Sequence, residues 1–343
     1  MPKPTSRRGH SEPYLAAVPD TVQHRMHWLT LVALDGGPRH SAPEAWRHWR
    51  AELPDFDHVS GPEAALLPLA WSRVEALGLS DPDSARIMGL RRRSFLLACS
   101  QLNAALTAQA QLANQGVVAV LGSDLAATLH YPFLTRPGLA SVELFVADPI
   151  GGASGIKARI LGRVEWGSGA APVGQTELRS RSGVVLKWRH PDLKRVRDSV
   201  QGARMTIWQG RRLRVLSPSD VAYSILLDTF LRDRPSRTVA RSWAVDFDRL
   251  SVAQGFSPDA FRAQIRSTPL SALFAAHAVS AADYLPGHTL NLLLPHNHRQ
   301  PVVIDLRTRS GPGHTKDAVS PLARLQAHVL PRAIRAAARL GNY

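Results

Sequence analysis

From Val117 to Val146 the chain reads VVAVLGSDLAATLHYPFLTRPGLASVELFV, and no other stretch limits the fold as tightly. Val117 to Leu121 is a short apolar, β-branched run, the pattern of a buried strand. Gly122-Ser123 follows at once. Asp124 to His130 then reads as a helix, with apolar positions at Leu125, Ala126 and Leu129. A turn signal at Arg136-Pro137-Gly138 leads into a second apolar strand, Val142 to Val146. The unit is strand, Gly-Ser turn, helix, strand.

That order resembles the opening of the polymerase-β-like nucleotidyltransferases. Within that superfamily the chain is similar to an uncharacterised bacterial nucleotidyltransferase family. Leu121, Tyr131-Pro132, Arg136 and Leu144-Phe145-Val146 match its core pattern, with one extra residue between Arg136 and Ser141. The family's Lys and Gly fall on Gly122 and Ser123. Further matches flank the core at Leu66-Leu67-Pro68-Leu69, Leu216-Ser217-Pro218-Ser219-Asp220 and the helix Trp243 to Leu250. Leu186-Lys187-Trp188-Arg189 resembles a later strand of the family, with Lys187 in place of a His. The resemblance spans roughly residues 60 to 287.

The resemblance implies a definite chemistry. Nucleotidyl transfer needs backbone N–H groups close to a triphosphate, so a residue without a large side chain follows the first strand. It also needs two divalent cations to clamp the attacking and leaving oxygens, and such hard cations take carboxylate oxygens. The superfamily supplies two acids two residues apart on the second strand, where alternation points both the same way. Here Leu121-Gly122-Ser123 supplies the turn, but the acid pair reads Ser141-Val142-Glu143-Leu144. A hydroxyl can ligate Mg²⁺ but brings no formal charge. Asp148 compensates only if the chain bends back. A third carboxylate would belong near Val185, on a strand whose register the sequence does not fix. By resemblance, Glu143 and Ser141 are therefore the catalytic positions, and Glu143, Ser141 and Asp148 the Mg²⁺ ligands. Gly122, Ser123, Arg136 and Lys187 would hold the nucleoside triphosphate.

Three functional readings follow. The favoured one is a nucleotidyltransferase-fold protein with weak or lost transfer that still binds a nucleotide or a partner. The second is an active metal-dependent transferase built on Glu143, moving a nucleoside monophosphate to a hydroxyl or amine. The third is a basic scaffold or nucleic-acid-binding protein. The net charge of +15 suits a polyanion partner, but it equally suits the arginine-rich coding habit of a GC-rich genome. The basic residues are spread along the whole chain, with no aromatic-interleaved basic motif, and this favours the genomic explanation. The densest basic stretch is Lys187 to Arg197, followed by Arg211, Arg212 and Arg214. These residues either line a cleft or form a solvated edge.

The expected fold class is α+β, a polymerase-β-like core flanked by helical regions. Residues 1–13 read as a disordered arm, 14–115 as helices, 116–216 as the α/β core, 217–287 as helices, and 288–343 as two short strands and a basic helix. The long helix from about Asp81 stops at Gly116. Core strands are expected at 117–121, 142–147, 157–166, 175–180, 183–189 and 203–208, and later strands at 289–294 and 301–306. No apolar run is long enough to span a membrane, and the N-terminus has no signal-like apolar core. A single cysteine, Cys99, excludes an internal disulfide, so a reducing cytoplasm is the natural compartment.

Other polar positions read more simply. His296 and His298 lack a third ligand. His24 and His27 beside Trp28 suit packing or surface roles. Asp305 suits a strand end, and Ser123 suits a helix N-cap. Asp246 and Asp248 carry no assigned chemistry. Gly151 to Gly155 lacks the Lys-Ser/Thr of a phosphate loop.

Overall fold

The computed structural model describes residues 20–34, 40–114, 116–136, 142–147, 166–168, 175–180, 185–189, 200–232, 242–266, 274, 278, 281–282 and 284–293. Four helices come first: α1 (Asp20–Ala33), α2 (Ala42–Glu52), α3 (Gly61–Ala76) and α4 (Ser84–Ala113). Their starts follow local chemistry. Ser41 accepts the Glu44 N–H at the head of α2, and a Ser60–Glu63 capping box opens α3.

Glu63 does more than cap. Its wholly buried carboxylate accepts Arg25 Nε at 2.8 Å, Arg25 Nη2 at 3.0 Å, Trp49 Nε1 at 3.1 Å and the Ser60 N–H at 2.9 Å. One carboxylate thus ties α1, α2 and α3 together. Burial pushes its pKa up, but the Arg25 guanidinium and the Ser60 and Trp49 donors outweigh burial and hold it below the usual range.

The stop of α4 is geometric. Gly116 has φ +73°, its N–H reaches the Ala113 carbonyl at 2.9 Å, and the Val117 N–H reaches the Leu112 carbonyl at 2.9 Å. This paired closure needs a left-handed residue, which glycine supplies without strain. The chain leaves it directly into β1 (Val118–Leu121), then α5 (Ser123–Thr128) and β2 (Val142–Ala147). Five more strands follow: β3 (Trp166–Ser168), β4 (Gln175–Ser180), β5 (Val185–Arg189), β6 (Arg204–Trp208) and β7 (Arg211–Val215). Helices α6 (Pro218–Arg232), α7 (Ser242–Ser251), α8 (Pro258–Arg266) and α9 (Gly287–Leu293) complete the described elements.

The strands form one mixed sheet in the order β3-β4-β5-β2-β1-β7-β6. β1 and β2 are antiparallel, with Leu121 opposite Leu144, and β2 and β5 are parallel. Helix α4 packs along β1, β2 and β7, while α5 packs against β2 and α6. Buried apolar residues from Met26 to Leu293 form one continuous core.

The fold is the expected mixture of helices and sheet, with three corrections. Residues 287–293 are helical where a strand was expected at 289–294; Thr289, Leu292 and Leu293 are the buried positions, a helical spacing rather than an alternating one. The strand β7 was not anticipated, because three of its five residues are arginines. The N-cap of α5 is Gly122, and Ser123 is the first helical residue instead of the cap. The expected strand at 301–306, the C-terminal basic helix and nearly all of the expected strand at 157–166 lie outside the described residues.

Candidate functional site

The expected site begins where β1 ends. Gly122 donates its N–H to the Glu143 carbonyl at 2.7 Å, which closes the β1–β2 pair. A Cβ on Gly122 would lie 2.8 Å from both Glu143 Cγ and the Glu143 carbonyl oxygen. No larger residue fits without moving β2. The need for glycine therefore comes from strand packing, in addition to any approach by a phosphate. Glu143 itself is buried, with 8% of its surface exposed.

Register brings Lys187 to the same place. Along the parallel β2–β5 pair Glu143 stands opposite Lys187, and along the antiparallel β4–β5 pair Lys187 stands opposite Glu177. Glu143, Lys187 and Glu177 thus form one cross-strand row, acid–base–acid. Gly122, Glu143 and Lys187, three of the residues expected at the site, converge here.

Arg136 serves elsewhere. Its Nε donates to Asp246 Oδ1 at 2.8 Å, and its Nη2 donates to Asp246 Oδ2 at 2.8 Å. The same Nη2 lies 3.0 Å from Asp124 Oδ1, and the Tyr131 hydroxyl donates to Asp246 Oδ1 at 2.5 Å. Tyr131, Arg136 and Asp246 are all buried. Burial opposes the Arg136 charge, but Asp246 and then Asp124 outweigh it and raise the guanidinium pKa above its ordinary value. Burial, reinforced by Asp246, drives the Tyr131 phenol well above its usual range. Expected to hold a triphosphate, Arg136 in the structure pairs with a carboxylate. Its partner, Asp246, had been given no chemistry. The signal was Tyr131-Pro132, Arg136 and the Trp243 helix together, but no local pattern joins positions 110 residues apart.

Beside this lock, His130 accepts from Arg204 Nη2 at 3.2 Å, while Arg204 Nη1 donates to the Gln254 carbonyl at 2.8 Å. Burial first, and the Arg204 charge second, push the His130 pKa down to about 4, so the ring is neutral at physiological pH. A cleft of about 230 Å³ between α3 and α4 reaches Arg136 and is also lined by Arg93, Ser94, Leu90 and Leu97. His24 contacts Glu52 at 2.9 Å, and His27 contacts the Tyr284 hydroxyl at 2.6 Å; both rings pack around Trp28.

A two-metal centre needs a second carboxylate near Glu143. The position in register with Glu143 on β5 is Lys187, and the next in that row is Glu177 on β4. Among the described residues no group of three or more His, Cys, Asp or Glu side chains is placed to hold a metal ion. Ser141 and Asp148, the other expected ligands, lie outside the described residues, as do Asp305, His296 and His298. The backbones of Ser123 and Lys187 are described, but their side chains are not. Among the described residues no helix is long and apolar enough to cross a membrane.

No protein-family profile matches the chain, and no curated protein matches it. Among solved structures, an antigenic nucleotidyltransferase-like protein from Paracoccidioides brasiliensis is similar, at 16% identity and a TM-score of 0.32. The likeness covers 42% of this chain and 74% of that one. A likeness of that size carries no argument for fold or function.

Proposed function

We propose that this chain is a nucleotidyltransferase-like protein in which two-metal transfer is weak or lost and nucleoside triphosphate binding is retained. The observation that carries the reading is the β1–α5–β2 unit. Its strands lie side by side, its turn glycine is pressed under Glu143, and Lys187 stands in register beside that carboxylate. The unit keeps the order of a transferase core, and beside it Lys187 stands where the resembling family has a His. A lysine is a point charge suited to phosphate oxygens. With one acid on the described part of β2, a cation clamp loses the charge that makes it catalytic, and lost metal clamping costs several kcal/mol of barrier.

The test is pyrophosphate release from each of the four nucleoside triphosphates with Mg²⁺, alongside nucleotide binding. Wild-type protein is expected to release little or none, and Lys187→Ala is expected to weaken nucleotide binding about tenfold. Ser141→Asp, which restores the acid spacing on β2, is the diagnostic variant. Robust turnover by the wild type, unchanged by Ser141→Asp, would overturn the reading in favour of an active transferase with a different ligand set.

A further inference from the structure

A second site opens at the other end of β1. Strand β7 runs parallel to β1, but the two register at a single pair, Leu121 opposite Val215. Towards their starts the strands part. The Gln109 side chain of α4 fills the gap, donating to the Arg214 carbonyl at 2.7 Å and accepting the Arg214 N–H at 3.1 Å. Gln109 thus satisfies both main-chain groups of Arg214 as a neighbouring strand would.

The parting leaves a groove of about 610 Å³. Leu106, Ala110 and Ala113 of α4 and Val117 to Ala119 form an apolar floor, and Met205 with Arg211, Arg212 and Arg214 forms the wall. Among the described residues none of these three guanidinium groups has a carboxylate or hydrogen-bond partner. Several other arginines are paired: Arg25 with Glu63, Arg50 with Asp81 and Asp83, Arg86 with Asp57, Arg91 with Glu75 and Arg136 with Asp246. Among the described residues no acidic side chain lines the groove.

We infer that this groove binds a small amphipathic anion, with an apolar body on the α4 floor and a phosphate or carboxylate on the arginine wall. The volume falls in the range of small-molecule sites, about 300–1,000 Å³. Guanidinium forks match the planar oxygens of either head group. Nucleic acid fits less well, because among the described residues no aromatic side chain lines the groove to stack a base. The site is independent of the β1–α5–β2 unit, since it lies at the start of β1 and the turn glycine lies at its end.

Calorimetric titration of the full chain tests this with five probes: octyl phosphate, octanoate, octyl glucoside, inorganic phosphate and a single-stranded oligonucleotide. Binding of octyl phosphate or octanoate is expected, and the bound one names the head group. Octyl glucoside and inorganic phosphate, which each carry half of the chemistry, should bind at least about tenfold more weakly. The double variant Arg212→Ala/Arg214→Ala should lose about tenfold in affinity, and so should Ala110→Phe, which fills the floor from an exposed helix position. Failure of both octyl anions to bind, affinity unchanged in both variants, or tighter binding of the oligonucleotide would each overturn the inference.

Discussion

Two polar contacts shape what single residues do near the candidate site, one a buried ion pair and the other a half-buried contact to a neutral ring. Asp246 is the hub of one of them, since it holds both nitrogens of the Arg136 fork and the Tyr131 hydroxyl. Removing its charge would strand a buried guanidinium, and breaking such a pair costs about 3–5 kcal/mol. Asp246→Asn should therefore lower unfolding stability by that order, as read from urea denaturation midpoints at neutral pH. The other is His130 against Arg204. Its folded pKa, about 4, lies below the ordinary 6.5, so the unfolded chain binds the extra proton first as pH falls. The neutral ring costs nothing above pH 6.5, stability drops between 6.5 and about 4, and the loss is complete below that. His130→Gln should remove on the order of 2 kcal/mol of acid destabilisation across that window. Urea midpoints at pH 7 and pH 4.5, compared between wild type and variant, check this. An equal acid loss in both would assign it to other groups.

Elements were legible where one physical signal dominated. The apolar runs of β1 and β2 and the Gly116 stop stand where local pattern puts them. β7 did not, because pairing with β6 and β1 overrides a composition that is mostly arginine. The segment 287–293 misled because an apolar run of that length suits either state until its buried spacing is known. At the candidate site the family resemblance names Gly122 and Glu143, and the structure sets them side by side, whereas the Lys187 register and the Arg136–Asp246 pairing are long-range facts. The contact between β1 and β2 gives a prediction at this scale. Gly122→Ala drives a methyl into the Glu143 backbone, so β2 must shift, and overpacking of this kind costs about 1–3 kcal/mol or more. Thermal melts should show the loss, and a variant as stable as wild type would mean that β2 moves freely.

At the scale of the whole molecule, one core joins the N-terminal helices to the sheet and the later helices, so both candidate sites sit on a common frame. The surplus of positive charge is unevenly committed. Among the described residues the buried arginines Arg25 and Arg136 are paired with carboxylates, and the three at the β7 edge are not. The cluster at that edge gives part of the charge of +15 a local meaning that composition alone does not. The central claim, a transferase-like core that keeps its nucleotide without a metal pair, is tested most directly by calorimetric titration of the full chain. ATP, GTP, CTP and UTP would each be titrated with Mg²⁺ and again with chelator. The account predicts that at least one nucleotide binds and that its affinity is the same in both conditions. Binding that vanishes with chelator, or no binding by any of the four, would contradict it.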